Sequence, residues 1–141
     1  MMFADANLFV YAELDNTEKG DLARKFIELA INKDIKIAIS VLVLDEIAWA
    51  VKKLSNYDNA IEYCEKIIEL PNLEILSLPS SLVPKIIKYM KLGIKPRDAI
   101  HIATMLEHGI FTIVSDDSDF DKIKEIERLD FAKALRRFKR L

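Results

Sequence analysis

The chain has little glycine, almost no cysteine and no long apolar run. With three glycines among 141 residues, it has no glycine-rich loop of the kind whose backbone amides cradle nucleotide phosphates. Cys64 stands alone, so it makes no internal disulfide and lacks the Cys/His company of a zinc site. Within the apolar pattern Ile61, Cys64, Ile68 it reads as a small core residue. No serine nucleophile elbow with Asp and His partners is present. No apolar run approaches the roughly 18 residues that a membrane-spanning helix needs. The N-terminus shows no basic stretch followed by a long apolar one, so a cytoplasmic protein is expected. Repeats, low-complexity tracts and linkers are also missing, and a single domain over residues 1–141 is expected.

What is present is a globular balance, 51% hydrophobic and 31% charged, which excludes a disordered chain. A net charge of −2 argues against a general nucleic-acid coat, but the charges are unevenly placed. Acids gather at Asp116, Asp117, Asp119 and Asp121, and bases at Lys133, Arg136, Arg137, Lys139 and Arg140.

Hydrophobic periodicity alternates between strand and helix. Met2 to Ala6 is a short apolar strand interrupted by Asp5. Asn16-Thr17-Glu18 opens a helix to about Asn32, Ile35 to Ile39 is a second strand, and Ser40 caps a helix to about Leu54. A helix after Asn56 stops near Leu70, before Pro71, and Leu73 to Leu78 is a third strand. Ser80 or Ser81 starts a helix that stops at Gly93. Pro96 fits the first turn of the next, which closes at Gly109. Ile110 to Val114 is an apolar strand followed at once by the acidic stretch, and Phe131 to Arg140 can form a short amphipathic helix. This alternation predicts a three-layer α/β domain whose mainly parallel central sheet is flanked by helices. Ligands of such sheets sit beyond the carboxyl ends of the strands, where Asp5, Asp116 and Asp117 fall.

Three further considerations single out carboxylates. Asp5 lies inside an apolar strand, a costly place unless it is paired, bound to a cation or capping a turn. On the helix after Ser40, Val43, Leu44, Ile47, Ala50, Val51 and Leu54 share one arc at about 100° per residue. Glu46 sits at the rim of that arc, and Asp45 faces away as a surface charge. Asp98 falls inside the apolar stripe of Ala99, Ile102, Met105 and Leu106, in a first turn whose amides favour an anion. His101, one turn later, could approach Asp98, but a lone helical histidine reads first as structural. The stretch from Asp117 resembles a calcium loop, but Lys122 and Arg128 stand where such a loop needs its glycine and its final glutamate. What remains is a set of carboxylates that repel one another at neutral pH without a cation. Oxygen ligands of this kind suit Mg²⁺ or Mn²⁺.

In order along the chain, these segments resemble a PIN domain. Phe3-Ala4-Asp5-Ala6-Asn7-Leu8-Phe9-Val10-Tyr11 resembles the family's opening strand with its Asp-x-Asn, and Asp45-Glu46-Ile47-Ala48 its glutamate-bearing helix. Arg97-Asp98-Ala99-Ile100-His101-Ile102-Ala103-Thr104 is similar to the third acidic motif, and Ile113-Val114-Ser115-Asp116-Asp117-Ser118-Asp119-Phe120 to the fourth. The resemblance implies a parallel-sheet α/β fold and Mg²⁺- or Mn²⁺-dependent endonucleolytic cleavage of RNA. It implies Asp5, Glu46, Asp98 and Asp117 as catalytic and metal-binding acids, supported by Asn7, Ser115 and Asp119. Asp116 stands where the pattern accepts any residue, so either neighbour could point inward. The chain's size most resembles the VapC-type toxins of toxin–antitoxin pairs, which implies a homodimer or higher homo-oligomer and a small antitoxin that blocks the site.

The lysines Lys85, Lys88, Lys91 and Lys95, with Arg97, lead toward Asp98, and Lys95 and Arg97 are the candidates for holding RNA phosphates. Trp49 falls on the polar side of the Glu46 helix, where a lone aromatic can mark a contact surface. A stand-alone PIN nuclease, which can be equally short, is the alternative to the toxin, and two readings outside the nucleases compete. One is an aspartate-based phosphatase, which lacks a suitably placed lysine. The other is a PIN-like fold that only binds RNA or protein, against which the presence of all four acids counts.

Overall fold

The computed structural model describes residues 1–140. Five strands, β1 (Met2–Ala4), β2 (Ile37–Ser40), β3 (Leu73–Leu76), β4 (Thr112–Val114) and β5 (Glu127–Leu129), form one sheet in the order β3-β2-β1-β4-β5. Every neighbouring pair is parallel, so the sheet is wholly parallel. Parallel neighbours need crossover connections. Helices supply those between β1 and β4, namely α1 (Ala6–Leu14), α2 (Glu18–Asn32), α3 (Val41–Leu54), α4 (Tyr57–Ile68), α5 (Val83–Lys91) and α6 (Pro96–Glu107); a 3₁₀ turn (Ser118–Lys122) links β4 to β5, and α7 (Phe131–Lys139) follows β5. No described helix is long and apolar enough to cross a membrane.

Local chemistry explains the helix boundaries. Ser40, Asn56 and Asp130 each accept a hydrogen bond from an amide three residues on, at 3.4, 2.8 and 2.8 Å. Each cap satisfies an otherwise orphaned helix donor and contributes about 1 kcal/mol. Pro84 and Pro96 occupy first turns, where no amide hydrogen is missed. Gly93 and Gly109 follow α5 and α6 with φ of +88° and +70°, a left-handed conformation that a side chain disfavours.

The middle of the sheet is the middle of the core. Phe3 of β1, Ile39 of β2 and Ile113 of β4 are fully buried, as are Phe9, Phe26, Ile47, Ile102 and Met105 from the helices. Removing a side chain of this size from water stabilises the fold by roughly 1.5–3 kcal/mol. α1 packs on α2 and α3, α2 on α7, α3 on α4, and α5 on α6.

Several elements differ from the sequence expectation. β1 stops at Ala4, and Asp5 caps a helix, α1, that the sequence pattern does not announce. The helix expected from Ser80 begins as a single 3₁₀ turn, Ser80–Leu82, before α5. β5 was not expected at all. The pattern Ile61, Cys64, Ile68 is not a core face: Ile61 and Ile68 are 45% and 51% exposed. α4 instead turns Ala60 and Ile67 inward, with Cys64 half-buried beside them. Leu54 ends α3 in solvent rather than in the core.

Chain order makes one crevice special. From β1 the chain crosses to β2 and β3 on one side, and it returns to β4 and β5 on the other. The carboxyl ends of β1 and β4 therefore diverge at a topological switch point, where open α/β sheets place their ligands.

Candidate active site

Asp5 leaves the end of β1 and is buried. Its Oδ1 accepts from the Ala6 amide at 2.8 Å, which makes it the cap of α1. Its Oδ2 accepts from the Ser115 hydroxyl at 2.7 Å and from the Asn7 amide group at 3.2 Å. The capping and site readings of Asp5 are thus compatible: one oxygen starts the helix and the other joins a polar network. Burial, partly offset by the Ser115 hydrogen bond, pushes the Asp5 carboxyl above its ordinary range.

Ser115 and Asn7 bind this corner together. Asn7 Nδ2 also donates to Ser115 Oγ at 3.1 Å, and Asn7 Oδ1 accepts from the Asp116 amide at 3.2 Å. Ser115 Oγ accepts from the Asp117 amide at 3.0 Å. Two side chains therefore tie the end of β1 to the turn after β4. Arg128 of β5 holds the turn from behind, donating to the Ser115 carbonyl at 3.1 Å and clamping Asp121 with two hydrogen bonds of 3.0 Å.

Glu46 projects from α3, and its Oε1 lies 2.5 Å from His101 Nε2. His101 is fully buried on α6, with the Phe3 ring 5.5 Å away. The sequence suggested Asp98 as the histidine's neighbour; the hydrogen bond goes to Glu46 instead. Asp98, one turn earlier on α6, is half-buried, and its carboxyl is pushed up to about 6. Burial is the main cause, followed by repulsion from Asp5 and Asp117, with His101 acting in the opposite sense.

The acids of the turn have different neighbours. Asp116 points to Lys19 of α2, 2.9 Å away. Asp117 lines the cleft with Asp98, while its Oδ1 caps the following 3₁₀ turn by accepting from the Asp119 amide at 2.9 Å. Asp119 is next to them but also faces Lys95 at 3.8 Å and Lys122 at 3.4 Å. Arg97 is exposed and borders the cleft. Lys85 pairs with Glu107 at 3.4 Å, and Lys88 lies against the Tyr89 ring, so neither lysine points at the acids.

Asp5, Asn7, Glu46, Asp98 and Asp117 line one cleft of about 350 Å³, together with Trp49 and Arg97. Its ionisable atoms form two tight groups. Asp5, Glu46 and His101 offer ligand atoms within 4.8 Å of one another, and so do Asp98, Asp117 and Asp119. The donors are mostly carboxylate oxygens, the set that Mg²⁺ and Mn²⁺ prefer. Burial gives most of the rise in the Asp98 carboxyl, and the remainder is repulsion from Asp5 and Asp117 that a cation would relieve. The residues therefore fit a divalent ion. A separate groove of similar volume, lined mainly by Phe9, Ile27, Ile31, Tyr63, Ile67 and Leu70 and also by Glu13, Arg24, Glu28 and Lys66, holds no such cluster among the described residues.

Fold and cleft together define a PIN-type domain. The family model described as the PIN domain matches residues 2–126, and the chain belongs to that family. Among solved structures, VapC20 of Mycobacterium tuberculosis, described as a sarcin-ricin loop cleaving toxin, is similar. Its identity is 15% over 86% of this chain and 94% of that one, with a TM-score of 0.72. VapBC2 of Rickettsia felis, bound to a DNA fragment from their promoter, contains a chain 20% identical over 92% of this chain and 98% of that one, TM-score 0.71. VapBC-1 of nontypeable Haemophilus influenzae contains one 17% identical over 94% and 100%, TM-score 0.69. At such identities the likeness is one of fold. No curated protein matches the chain in sequence.

Proposed function

We propose that this chain is a divalent-metal-dependent endoribonuclease and the toxin of a VapBC-type pair. The observation that carries the catalytic part is the convergence of Asp5, Glu46, Asp98 and Asp117 from β1, α3, α6 and the turn after β4 into one cleft. Among the described residues no lysine or arginine pairs with these four carboxylates, and the one ionisable partner is the buried His101 beside Glu46, which leaves the partly dry site with excess negative charge. They would hold Mg²⁺ or Mn²⁺, which supplies Lewis acidity to the phosphodiester and to the attacking water.

The chain's own residues do the rest. Ser115 and Asn7 fix the rotamer of Asp5 by donating to Oδ2. His101 fixes Glu46 from its buried side. Arg97, at the rim, is free to take a substrate phosphate, whereas Lys95 is already drawn to Asp119. The toxin reading is supported by the solved VapC and VapBC structures whose fold the chain shares. With it come a small antitoxin partner, a homodimer or higher homo-oligomer, a cytoplasmic setting and a single domain over the whole chain.

Incubation of the purified chain with single-stranded RNA tests the catalytic part. Cleavage is expected with Mg²⁺ or Mn²⁺ and none in excess EDTA. Cleavage that persists unchanged in EDTA overturns the reading.

A further inference from the structure

Trp49 is the chain's one tryptophan, and at 59% exposed it is a large apolar ring left in water. It stands three residues beyond Glu46 on α3, so the two share a helix face, and both line the acidic cleft with Asp98 and Asp117. The metal chemistry makes no use of it. Lys52, a further three residues along, places its ammonium 5.6 Å from the Trp49 ring centre and 5.6 Å from that of Tyr57. Arg97 borders the same cleft from the first turn of α6. The acidic cleft therefore carries one exposed aromatic ring with the Lys52 ammonium over it and Arg97 in the same lining.

Aromatic rings beside cationic groups bind single-stranded nucleic acid: the ring stacks on an unpaired base and the cations meet its phosphates. A duplex hides its base faces and cannot be held this way. An apolar protein surface is a poorer occupant, because it would strip water from Lys52 without offering an anion in return. We propose that Trp49 is a stacking platform for an unpaired nucleobase next to the scissile phosphodiester, with Lys52 and Arg97 meeting the flanking phosphates. The proposal rests on the RNA-cleaving reading and adds which side chains hold the strand beside the point of cleavage.

A single tryptophan makes the site its own reporter. The full chain in Mg²⁺ is mixed in a stopped-flow cell with a ten-nucleotide single-stranded RNA, with the same sequence as a duplex, or with an abasic ribose-phosphate strand. Saturable quenching of Trp49 fluorescence by the first alone is expected, before turnover. In steady state, Trp49→Ala is expected to raise KM about five- to a hundredfold, with kcat changed less than about threefold. Trp49→Phe should recover most of the loss and Trp49→Leu should not, since only the ring stacks. Melting temperatures of the three variants should match wild type, because the side chain is exposed. Three results overturn the proposal: recovery of KM by Trp49→Leu, emission that shifts with protein concentration and ignores RNA, or cleavage with a silent indole and an unchanged KM in Trp49→Ala. The last leaves the nuclease reading standing. Quenching by single strands without cleavage in any divalent metal does the reverse, supporting the stacking site and ending the nuclease reading.

Discussion

Replacing Asp98 by Asn should stabilise the metal-free protein while abolishing cleavage. The folded-state carboxyl stands near 6 against an ordinary 3.8, so ionising it opposes folding. A shift of roughly two units corresponds to about 3 kcal/mol. Because the group is only half-buried, solvent screening reduces that to about 1.5 kcal/mol. Asn also forfeits the attraction between a first-turn carboxylate and the α6 amides, which costs about 0.3–1 kcal/mol. The net expectation is a gain of roughly 0.5–1 kcal/mol, or about 2–4 °C in melting temperature for a chain of this length. The sign sets the pH window. A raised carboxyl contributes stability in full below its unfolded value, and that contribution is lost as pH rises through the folded one. The gap between variant and wild type should therefore be open above about pH 6 and close near pH 4, where Asp98 is protonated in the wild type too. Calorimetry in EDTA at several pH values measures it. Mn²⁺ should then raise the wild-type melting temperature, by about 2.7 kcal/mol of added stability at a hundred times Kd, and the variant's much less. A variant that melts well below wild type in EDTA at neutral pH, or a gap that persists in acid, refutes the reasoning and makes Asp98 a helix-start acid that holds the fold.

Asp117→Asn should lower cleavage by about a hundredfold or more, since even groups that only orient metal ligands are worth 10–100-fold. Asp116→Asn, which breaks only the pair with Lys19, should leave the rate nearly unchanged; the opposite ranking in a cleavage assay would sink the assignment of that turn. His101→Ala leaves Glu46 without its buried partner and should cost 10–100-fold in rate. It should also lose about 2–4 kcal/mol of stability for the cavity. A folded His101→Ala protein that cleaves at the wild-type rate would show that Glu46 needs no support.

How much of this was legible in the sequence depends on where each signal is stored. Asp98 was readable because an acid interrupting an apolar stripe is visible along a single helix. Its partners in the cleft were readable only through the order of four motifs. The Glu46–His101 bond was not, because it joins α3 to α6 across 55 positions and no single-helix pattern encodes it. α1 was missed because Ala6-Asn7-Leu8-Phe9-Val10-Tyr11-Ala12 is apolar almost all round, as a helix wedged between α2 and α3 must be, and such a helix has no periodic face to read. β5 was missed because its three residues, Glu127-Arg128-Leu129, are held by backbone pairing to β4 rather than by an alternating side-chain pattern. The choice between Asp116 and Asp117 was left open for a related reason. Asp116 is drawn aside by Lys19, nearly a hundred residues away in the chain.

Arg128 gives the family boundary a mechanical meaning. The family model ends at Ile126, having spanned every acid of the cleft, and the residue that braces the acidic turn comes two positions later. The recognisable pattern thus contains all four acids of the cleft, while the scaffolding that holds their turn still lies partly beyond it. A substitution at Arg128 would loosen the acidic turn without touching any of the four acids. In this chain the residue just past that boundary bears on the stiffness of the site rather than on its acids.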